Sequence, residues 1–248
     1  GDVYKRQVYY TAEEYRKMME QTSGTYSGIG ALVSQNAETG IITVVKAFAD
    51  APAAKAGVKN GDIIYKVKGK EVTGVDINNV VTEMKGEKGT TVDITVYRES
   101  EKKYIDFTIT RDQVNEPTVE YKMLDKKKKI GYIQISQFEE VTYDQFTKAL
   151  DDLKKQGMKA VIFDVRSNPG GLYETVCKML DEILPEGNLV STKDKYGNEE
   201  KQTSDSKCLD MPMVVLQNKD SASASEIFAG AIPVSYTHLR AHETPEHL

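Results

Sequence analysis

Residues 163–172, FDVRSNPGGL, decide how the second half of the chain is interpreted. They complete an apolar run at 160–165 that lacks the polar alternation of a strand with one solvated face. Such a run is typical of a strand buried on both sides. A Pro-Gly-Gly turn and a helical pattern follow, so the N–H groups of Gly170 and Gly171 should suit a developing oxyanion. An ordinary strand-to-helix turn that needs glycine for a positive φ explains the same residues equally well.

The segments around this turn alternate between strands and helices. A strand at 130–137 precedes a helix, and a second buried strand at 213–217 leads into a final helix at 223–232. This alternation predicts an α/β domain in which helices pack on a sheet. The first of these helices has an apolar face made of Phe146, Ala149, Leu150 and Leu153.

A serine-rich stretch, DSASASEI at 220–227, follows the second buried strand. Small residues around a serine at a strand–helix junction let its hydroxyl stand at the edge of the sheet. The next backbone N–H can then join an oxyanion hole. Serines at helix starts more often serve as N-caps, and we predict this role for Ser221 and Ser225.

The first half of the chain predicts a short helix followed by a small β domain. Thr11 and Glu14 form a capping box for a helix within 8–23. Beyond it, short apolar strands alternate with turn signals, and we place a linker at 112–118. The predicted strands cover 41–48, 63–67, 91–98 and 103–111, with a helix at 76–85.

The motif YSGIGA at 26–31 adds a candidate binding site to this β domain. Glycines that alternate with apolar residues before a strand leave several N–H groups pointing at one spot, a nest that binds a carboxylate. The strand after the motif can pair with an extended peptide, whose side chain would enter a groove beside the 76–85 helix. The predicted peptide-binding residues are Gly28, Ile29, Gly30, Ala31, Val80, Val81 and Met84.

Composition argues against several kinds of chemistry. The three histidines, His238, His242 and His247, all lie near the end of the chain, so neither a histidine-based active site nor a metal or cofactor is predicted. A net charge of −5, spread along the sequence, argues against nucleic acid as a partner. Cys177 and Cys208 lack metal-binding spacing and are predicted to be free thiols.

The glycine motif gains specificity from a second stretch, APAAKAGVKNGDII at 51–64. Together the two resemble bacterial PDZ domains, in which a short helix ends at a glycine such as Gly57 and a Gly-Asp pair turns into a strand. This resemblance covers 24–112 and implies binding of peptide C-termini. A plain β domain with a tight turn is the simpler alternative.

The core motifs IGYI at 130–133, FDVRSNPGG at 163–171 and SASASEI at 221–227 resemble the carboxyl-terminal processing proteases, also called tail-specific proteases. The resemblance covers 8–232 and implies a crotonase-like α/β protease core behind the PDZ domain. The expected fold class is therefore α+β / α/β, with an incomplete core.

The same resemblance implies a serine endopeptidase that uses a Ser–Lys pair. The family's nucleophile corresponds to Ser223. Its oxyanion donors correspond to the Gly170-Gly171 turn and the N–H of Ala224.

The expected organisation has five segments. They are a non-native leader at 1–7, a helical segment at 8–23, the PDZ domain at 24–112, a partial protease core at 113–232 and a non-native tail at 233–248.

The chain departs from the family pattern at the residue that serves as the catalytic base. The family's lysine lies after the serine helix in a glycine-rich stretch similar to F-G-K-G-x-x-Q, whereas no lysine follows Ser223 here. A Ser–Lys mechanism needs a buried, neutral lysine, and Lys219 is predicted to lie in a surface turn. We therefore expect a truncated and inactive piece of an active parent. The family resemblance alone implies that this parent is extracytoplasmic, and any membrane anchor would lie upstream of Gly1.

Two other functions compete with this interpretation. A non-catalytic PDZ protein with a pseudoprotease core would also lack the lysine. A crotonase-type acyl-CoA enzyme shares the oxyanion geometry, but it does not explain the PDZ-like half or the serine run.

Overall fold

The computed structural model describes residues 8–235, which form two compact units, 25–116 and 8–24 with 117–235. The predicted leader at 1–7 and the tail from 236 onward lie outside the described residues. No helix in the described part of the chain is both long and apolar enough to cross a membrane.

The first helix, α1 (Ala12–Ser23), begins at the predicted capping box. The Glu14 N–H donates to the Thr11 hydroxyl, and the Thr11 N–H donates to the Glu14 carboxylate at 2.8 Å. These reciprocal bonds satisfy two N–H groups that a helix start otherwise leaves unpaired. The capping box is confirmed.

The 25–116 unit is built mainly from antiparallel strands. Its sheet has the order β2-β3-β4-β6-β7, with β5 beside β4, while β1 pairs separately with β8. Alternate residues of β6, Val92, Ile94 and Val96, are buried, which confirms the predicted alternation. The elements are β1 (Thr25–Gly28), β2 (Ala31–Gln35), β3 (Ile42–Ala47), α2 (Pro52–Ala56), β4 (Ile63–Val67), β5 (Lys70–Glu71), α3 (Ile77–Met84), β6 (Thr91–Arg98), β7 (Lys103–Thr110) and β8 (Asp112–Asn115).

The predicted linker at 112–118 is wrong over its first four residues. Strand β8 occupies Asp112–Asn115 and pairs antiparallel with β1, so that Val114 lies opposite Tyr26. Each strand has only four residues and its partner lies far away in the chain, so neither gives a periodic signal.

The glycine-aspartate turn at 61–62 is held by a buried ion pair. Arg98 donates two hydrogen bonds of 2.7 Å to the Asp62 carboxylate and a third to the Gly57 carbonyl. Asp62 is 1% exposed and Arg98 is 7% exposed. The fork of the guanidinium matches both carboxylate oxygens, which fixes the end of α2 against β6.

The second unit contains a four-stranded mixed sheet in the order β14-β11-β10-β9. Strands β10, β11 and β14 are parallel, and β9 is antiparallel to β10. The elements are β9 (Val119–Asp125), β10 (Ile130–Ile135), α4 (Glu140–Lys155), β11 (Ala160–Asp164), α5 (Tyr173–Asp181), β12 (Gly187–Lys193), β13 (Glu199–Ser204), β14 (Met213–Leu216) and α6 (Ala224–Ser235).

The core of this unit lies between the sheet and its helices. The Phe163 ring of β11 packs edge-on against Phe228 of α6, with centroids 5.4 Å apart, and against Phe146 of α4. The predicted apolar face of α4 is confirmed, since all four of its residues are at most 2% exposed. The β12–β13 hairpin was not predicted, because its strands are largely polar and exposed.

Candidate active site

Two turns meet at one edge of the core sheet. Because β11 and β14 are neighbouring parallel strands, their carboxyl ends lie at the same edge. The turn after β11 contains Gly170 and Gly171, and the turn after β14 leads to Ser223 at the start of α6. Ligands of open parallel sheets bind at such an edge.

The turns touch at Gly170. A β-carbon placed there would lie 2.8 Å from both the Ala222 carbonyl oxygen and the Ser223 Cβ, and 3.0 Å from the Ala224 nitrogen. Gly170 also has a φ of 107°, which side chains rarely adopt. The structure therefore brings together Gly170, Ser223 and Ala224, which the sequence had associated with one site.

Asn168, which sequence analysis did not single out, connects the two turns. Its side chain is fully buried, donates to the Ile135 carbonyl of β10 at 2.9 Å and accepts from the Gly170 N–H at 2.8 Å. Its backbone carbonyl accepts from the Ala222 N–H and from the Ser225 hydroxyl. A buried asparagine with all these partners holds both turns in register.

The three serines of the SASAS run have different environments. The Ser221 hydroxyl donates to the Val165 carbonyl at 2.8 Å, and the buried Ser225 hydroxyl donates to the Asn168 carbonyl at 2.8 Å. Both are structural, although they bond neighbouring loops rather than cap α6. Within residues 8–235 the exposed Ser223 hydroxyl has no hydrogen-bond partner.

The backbone hydrogen bonds around Ser223 explain why its hydroxyl has no hydrogen-bond partner. An N-cap serine normally accepts from the second or third N–H of the helix. Here the Ser225 N–H donates to the Ala222 carbonyl, and the Glu226 N–H donates to the Ser223 carbonyl. Ser223 has a φ of 54°, a strained conformation for a side-chain-bearing residue.

The unpaired N–H groups differ slightly from those predicted. The Gly170 N–H is already bonded to Asn168, so it is not available to a ligand. Among the described residues, the N–H groups of Gly171 and Ala224 have no acceptor. The candidate anion-binding pair is therefore Gly171 and Ala224.

A buried carboxylate anchors the start of the first turn. Arg166 donates to Asp164 through its backbone N–H and its guanidinium, and the Tyr132 hydroxyl donates to Asp164 at 2.6 Å. Burial acts to raise the pKa of Asp164, but these hydrogen bonds outweigh it and hold that pKa below its ordinary value. Asp164 therefore stays ionised at neutral pH and fixes the end of β11.

The predicted carboxylate nest lies in the 25–116 unit. The carbonyls of Ile29 and Gly30 accept from the N–H groups of Ala53 and Phe48, at 2.7 and 3.0 Å. The N–H groups of Ile29 and Gly30 have no acceptor in the described part of the chain. A β-carbon on Gly30, whose φ is 75°, would lie 2.3 Å from the Ala51 Cβ, so only glycine fits.

Of the predicted groove residues on α3, only Val81 is partly exposed. Val80 and Met84 are 2% and 4% exposed and belong to the core of the unit, together with Ile29. The helix turns these two inward, so the face left half-exposed holds Ile77 and Val81, four residues apart. Sequence analysis missed Ile77, although its spacing from Val81 was visible.

Neither a metal-binding group nor a disulfide is found among residues 8–235. No group of three or more His, Cys, Asp or Glu side chains there is arranged to hold a metal ion. The predicted free thiols are confirmed for Cys177, which is buried, and Cys208, which is exposed.

Comparison with known proteins gives matches over both units. The PDZ domain model matches residues 27–109, and the model of peptidase family S41 matches 129–234. A carboxy-terminal-processing protease of Bartonella bacilliformis is 36% identical over 232 residues, which cover 90% of this chain and 52% of that protein. A Staphylococcus epidermidis protein named as a CtpA-like serine protease is 36% identical over 228 residues, which cover 90% of this chain and 45% of that protein. The chain thus spans about half the length of these relatives.

A solved structure supports the fold. A Bacteroides fragilis protein assigned to the S41 proteases aligns with a TM-score of 0.54 at 16% identity, covering 92% of this chain and 69% of that chain. A PDZ domain followed by an S41-type core defines the class of protein. The chain belongs to the carboxyl-terminal processing protease family.

The role of Asn168 can be tested by removing its side chain. Asn168→Ala leaves the buried Gly170 N–H and the Ile135 carbonyl unpaired, so we expect the free energy of unfolding of the core to fall by about 3 kcal/mol. Amide hydrogen exchange in β10 and β11 measures this value. Asn198→Ala, in an exposed hairpin turn, serves as the control and should change it by less than ~1 kcal/mol. Equal effects of the two substitutions would show that Asn168 does not hold the turns together.

Proposed function

We propose that the protein to which this sequence belongs is a serine endopeptidase with Ser223 as its nucleophile. The observation that carries the proposal is the combination of an exposed, unbonded Ser223 hydroxyl with the unpaired Gly171 and Ala224 N–H groups. Acyl transfer requires a nucleophilic hydroxyl and N–H donors for the oxyanion, and Gly170 joins the turn that carries Gly171 to Ser223 and Ala224.

The proposed reaction begins with attack of the Ser223 oxygen on the carbonyl carbon of a peptide bond. The carbonyl oxygen becomes an oxyanion, which accepts hydrogen bonds from Gly171 and Ala224. The base that takes the serine proton returns it to the leaving amine as the C–N bond breaks. Water then hydrolyses the acyl-serine and releases the second product.

The proposed base is a lysine, on the strength of the family resemblance. No lysine follows Ser223 in the 248 residues, and Lys219 is exposed, whereas a lysine base has to be buried beside the serine. We therefore propose that the 248-residue chain alone lacks the base and does not form an acyl-enzyme.

The PDZ unit is proposed to capture protein C-termini. The unpaired N–H groups of Ile29 and Gly30 suit a terminal carboxylate, and β2 lies at the end of its sheet. An extended peptide that adds to β2 would place its last side chain beside Ile77 and Val81.

A second candidate function is peptide binding without catalysis. It is favoured by the unpaired N–H groups of Ile29 and Gly30, which suit a peptide carboxylate whether or not Ser223 has a base. Peptidase assays on a longer form of the protein separate the two: cleavage that Ser223→Ala abolishes supports the enzyme, and its absence supports the binder.

Peptide capture predicts a strict requirement for a free C-terminus. Peptides ending in a small apolar residue should bind the 248-residue chain, and amidation should weaken binding about tenfold or more because the charge on the acceptor is lost. Fluorescence anisotropy of labelled peptide pairs measures the ratio. If the amide bound as tightly as the acid, the carboxylate assignment would be wrong.

The missing base predicts low reactivity of Ser223. A fluorophosphonate probe should not label the 248-residue chain stoichiometrically, because the hydroxyl stays protonated without a neighbouring base. Intact-mass spectrometry counts the adducts, with Ser221→Ala and Ser223→Ala as matched variants. One adduct per chain that disappears only in Ser223→Ala would mean that a base is already present.

A further inference from the structure

Seven exposed lysines lie close together at one edge of the core sheet. Four of them, at 126–129, form the turn between β9 and β10. A turn of like charges is usually only a solvated turn. Here the last turn of α4 and the loop that follows it add three more lysines to the same place. We call the lysines at 126–129, Lys154, Lys155 and Lys159 the lysine cluster.

The two parts of the lysine cluster are in direct contact. The Lys159 N–H donates to the Lys129 carbonyl at 2.8 Å, and a β-carbon on Gly157 would lie 3.1 Å from the Lys129 Nζ. The parallel strands β10 and β11 begin side by side, with Ile130 paired to Ala160. The cluster therefore lies at the edge of the sheet where these strands begin. The candidate active site lies at the opposite edge, where β11 and β14 end.

Few carboxylates offset the charge of the lysine cluster. Asp125 accepts hydrogen bonds from two backbone N–H groups of the turn, at 2.8 and 2.9 Å. Asp152 accepts from the Tyr121 hydroxyl at 2.6 Å, and its other oxygen lies 3.8 Å from the Lys155 ammonium. Asp151 is exposed and, like the six remaining lysines of the cluster, forms no ion pair within the described part of the chain. The positive field of the cluster is therefore directed at the solvent.

The composition of the cluster favours an extended anionic surface over a single anionic group. It contains no arginine, whose planar guanidinium binds one phosphate or carboxylate through two parallel hydrogen bonds. It also contains no aromatic side chain that could stack on a nucleic acid base. Lysine ammonium groups on flexible stems act as point charges, which suits the distributed charge of a layer of lipid headgroups.

An exposed apolar side chain accompanies the charges. Leu124, at the end of β9 and two residues before the turn, is 51% exposed. An apolar side chain beside several lysines can enter the boundary between headgroups and acyl chains of a bilayer. The same side chain gains nothing from a hydrated polyanion such as nucleic acid. Leu124 therefore favours a lipid surface as the partner.

We propose that the lysine cluster and Leu124 bind the surface of a bilayer that contains anionic phospholipid. This inference depends neither on the proposed peptide capture nor on the proposed catalysis. Because the cluster and the active-site turns lie at opposite edges of the same sheet, a bilayer bound at the cluster leaves the active site facing away from it. Each lysine near the surface adds a modest attraction that salt screens, so the binding is reversible.

Vesicle co-sedimentation of the 248-residue chain tests this proposal. The chain should sediment with vesicles made of phosphatidylcholine and phosphatidylglycerol in equal parts, and should stay in the supernatant with phosphatidylcholine alone. Added NaCl should reduce the sedimented fraction. Lys126→Gln, Lys127→Gln and Lys128→Gln together should weaken binding about a hundredfold, because each lysine near the surface contributes about fivefold.

A matched control removes the same amount of charge elsewhere in the same unit. It combines Lys193→Gln, Lys195→Gln and Lys207→Gln, three exposed positions outside the cluster, and should retain wild-type binding. A second cluster variant, Lys154→Gln with Lys155→Gln, leaves the turn intact and should weaken binding about twentyfold. Circular dichroism checks that every variant is folded.

Leu124→Ser separates a bilayer from other polyanions. It should weaken binding to the anionic vesicles several-fold and leave any binding of a single-stranded DNA oligonucleotide unchanged. Binding of the oligonucleotide without binding of the vesicles would overturn the lipid assignment. The proposal would also fail if the chain did not sediment with anionic vesicles, if it sedimented equally with both kinds of vesicle, or if the cluster variants bound as well as the control.

Discussion

The candidate active site depends on the hydrogen bonds of one buried side chain, Asn168. Its side-chain amide donates to the Ile135 carbonyl of β10 and accepts from the Gly170 N–H. Its backbone carbonyl accepts from the Ala222 N–H and the Ser225 hydroxyl. Each of these groups would cost about 1–3 kcal/mol if left buried and unpaired. These four hydrogen bonds therefore hold the two turns in register.

The chemistry of the site comes from the groups that have no hydrogen-bond partner in this arrangement. Once Ser221, Ser225 and Gly170 have partners inside the protein, the Ser223 hydroxyl and the N–H groups of Gly171 and Ala224 remain. The nest of the 25–116 unit follows the same rule, because its carbonyls are bonded internally and its N–H groups are not. In both units, backbone carbonyls near the site accept hydrogen bonds from within the protein, whereas nearby N–H groups have no acceptor. Unpaired N–H donors of this kind suit anionic ligands.

Local sequence signals predicted the features that depend on neighbouring residues. The capping box of α1, the apolar face of α4 and the alternation in β6 each arise within one helix or strand, and each is confirmed. The pairing of β1 with β8 depends on residues far apart in the chain, so no local pattern revealed it. The same limit applies to Asn168, whose partners come from three separate segments.

The sequence predicted which turns form the candidate active site, but not which of their N–H groups are unpaired. The turn motif and the family resemblance indicated Gly170, Gly171 and Ala224, yet only the packing around Asn168 decides which glycine N–H is free. Likewise, the helical pattern placed Val80, Val81 and Met84 on α3, and tertiary packing buries the first and the last.

The most direct test compares two adjacent amides. In the 248-residue chain, NMR hydrogen exchange should find the Gly170 N–H strongly protected by its bond to Asn168 and the exposed Gly171 N–H exchanging rapidly. Asn168→Ala should remove the protection of Gly170. A Gly171 N–H as protected as that of Gly170 would mean that the donor is already occupied, and the account of the site would be contradicted.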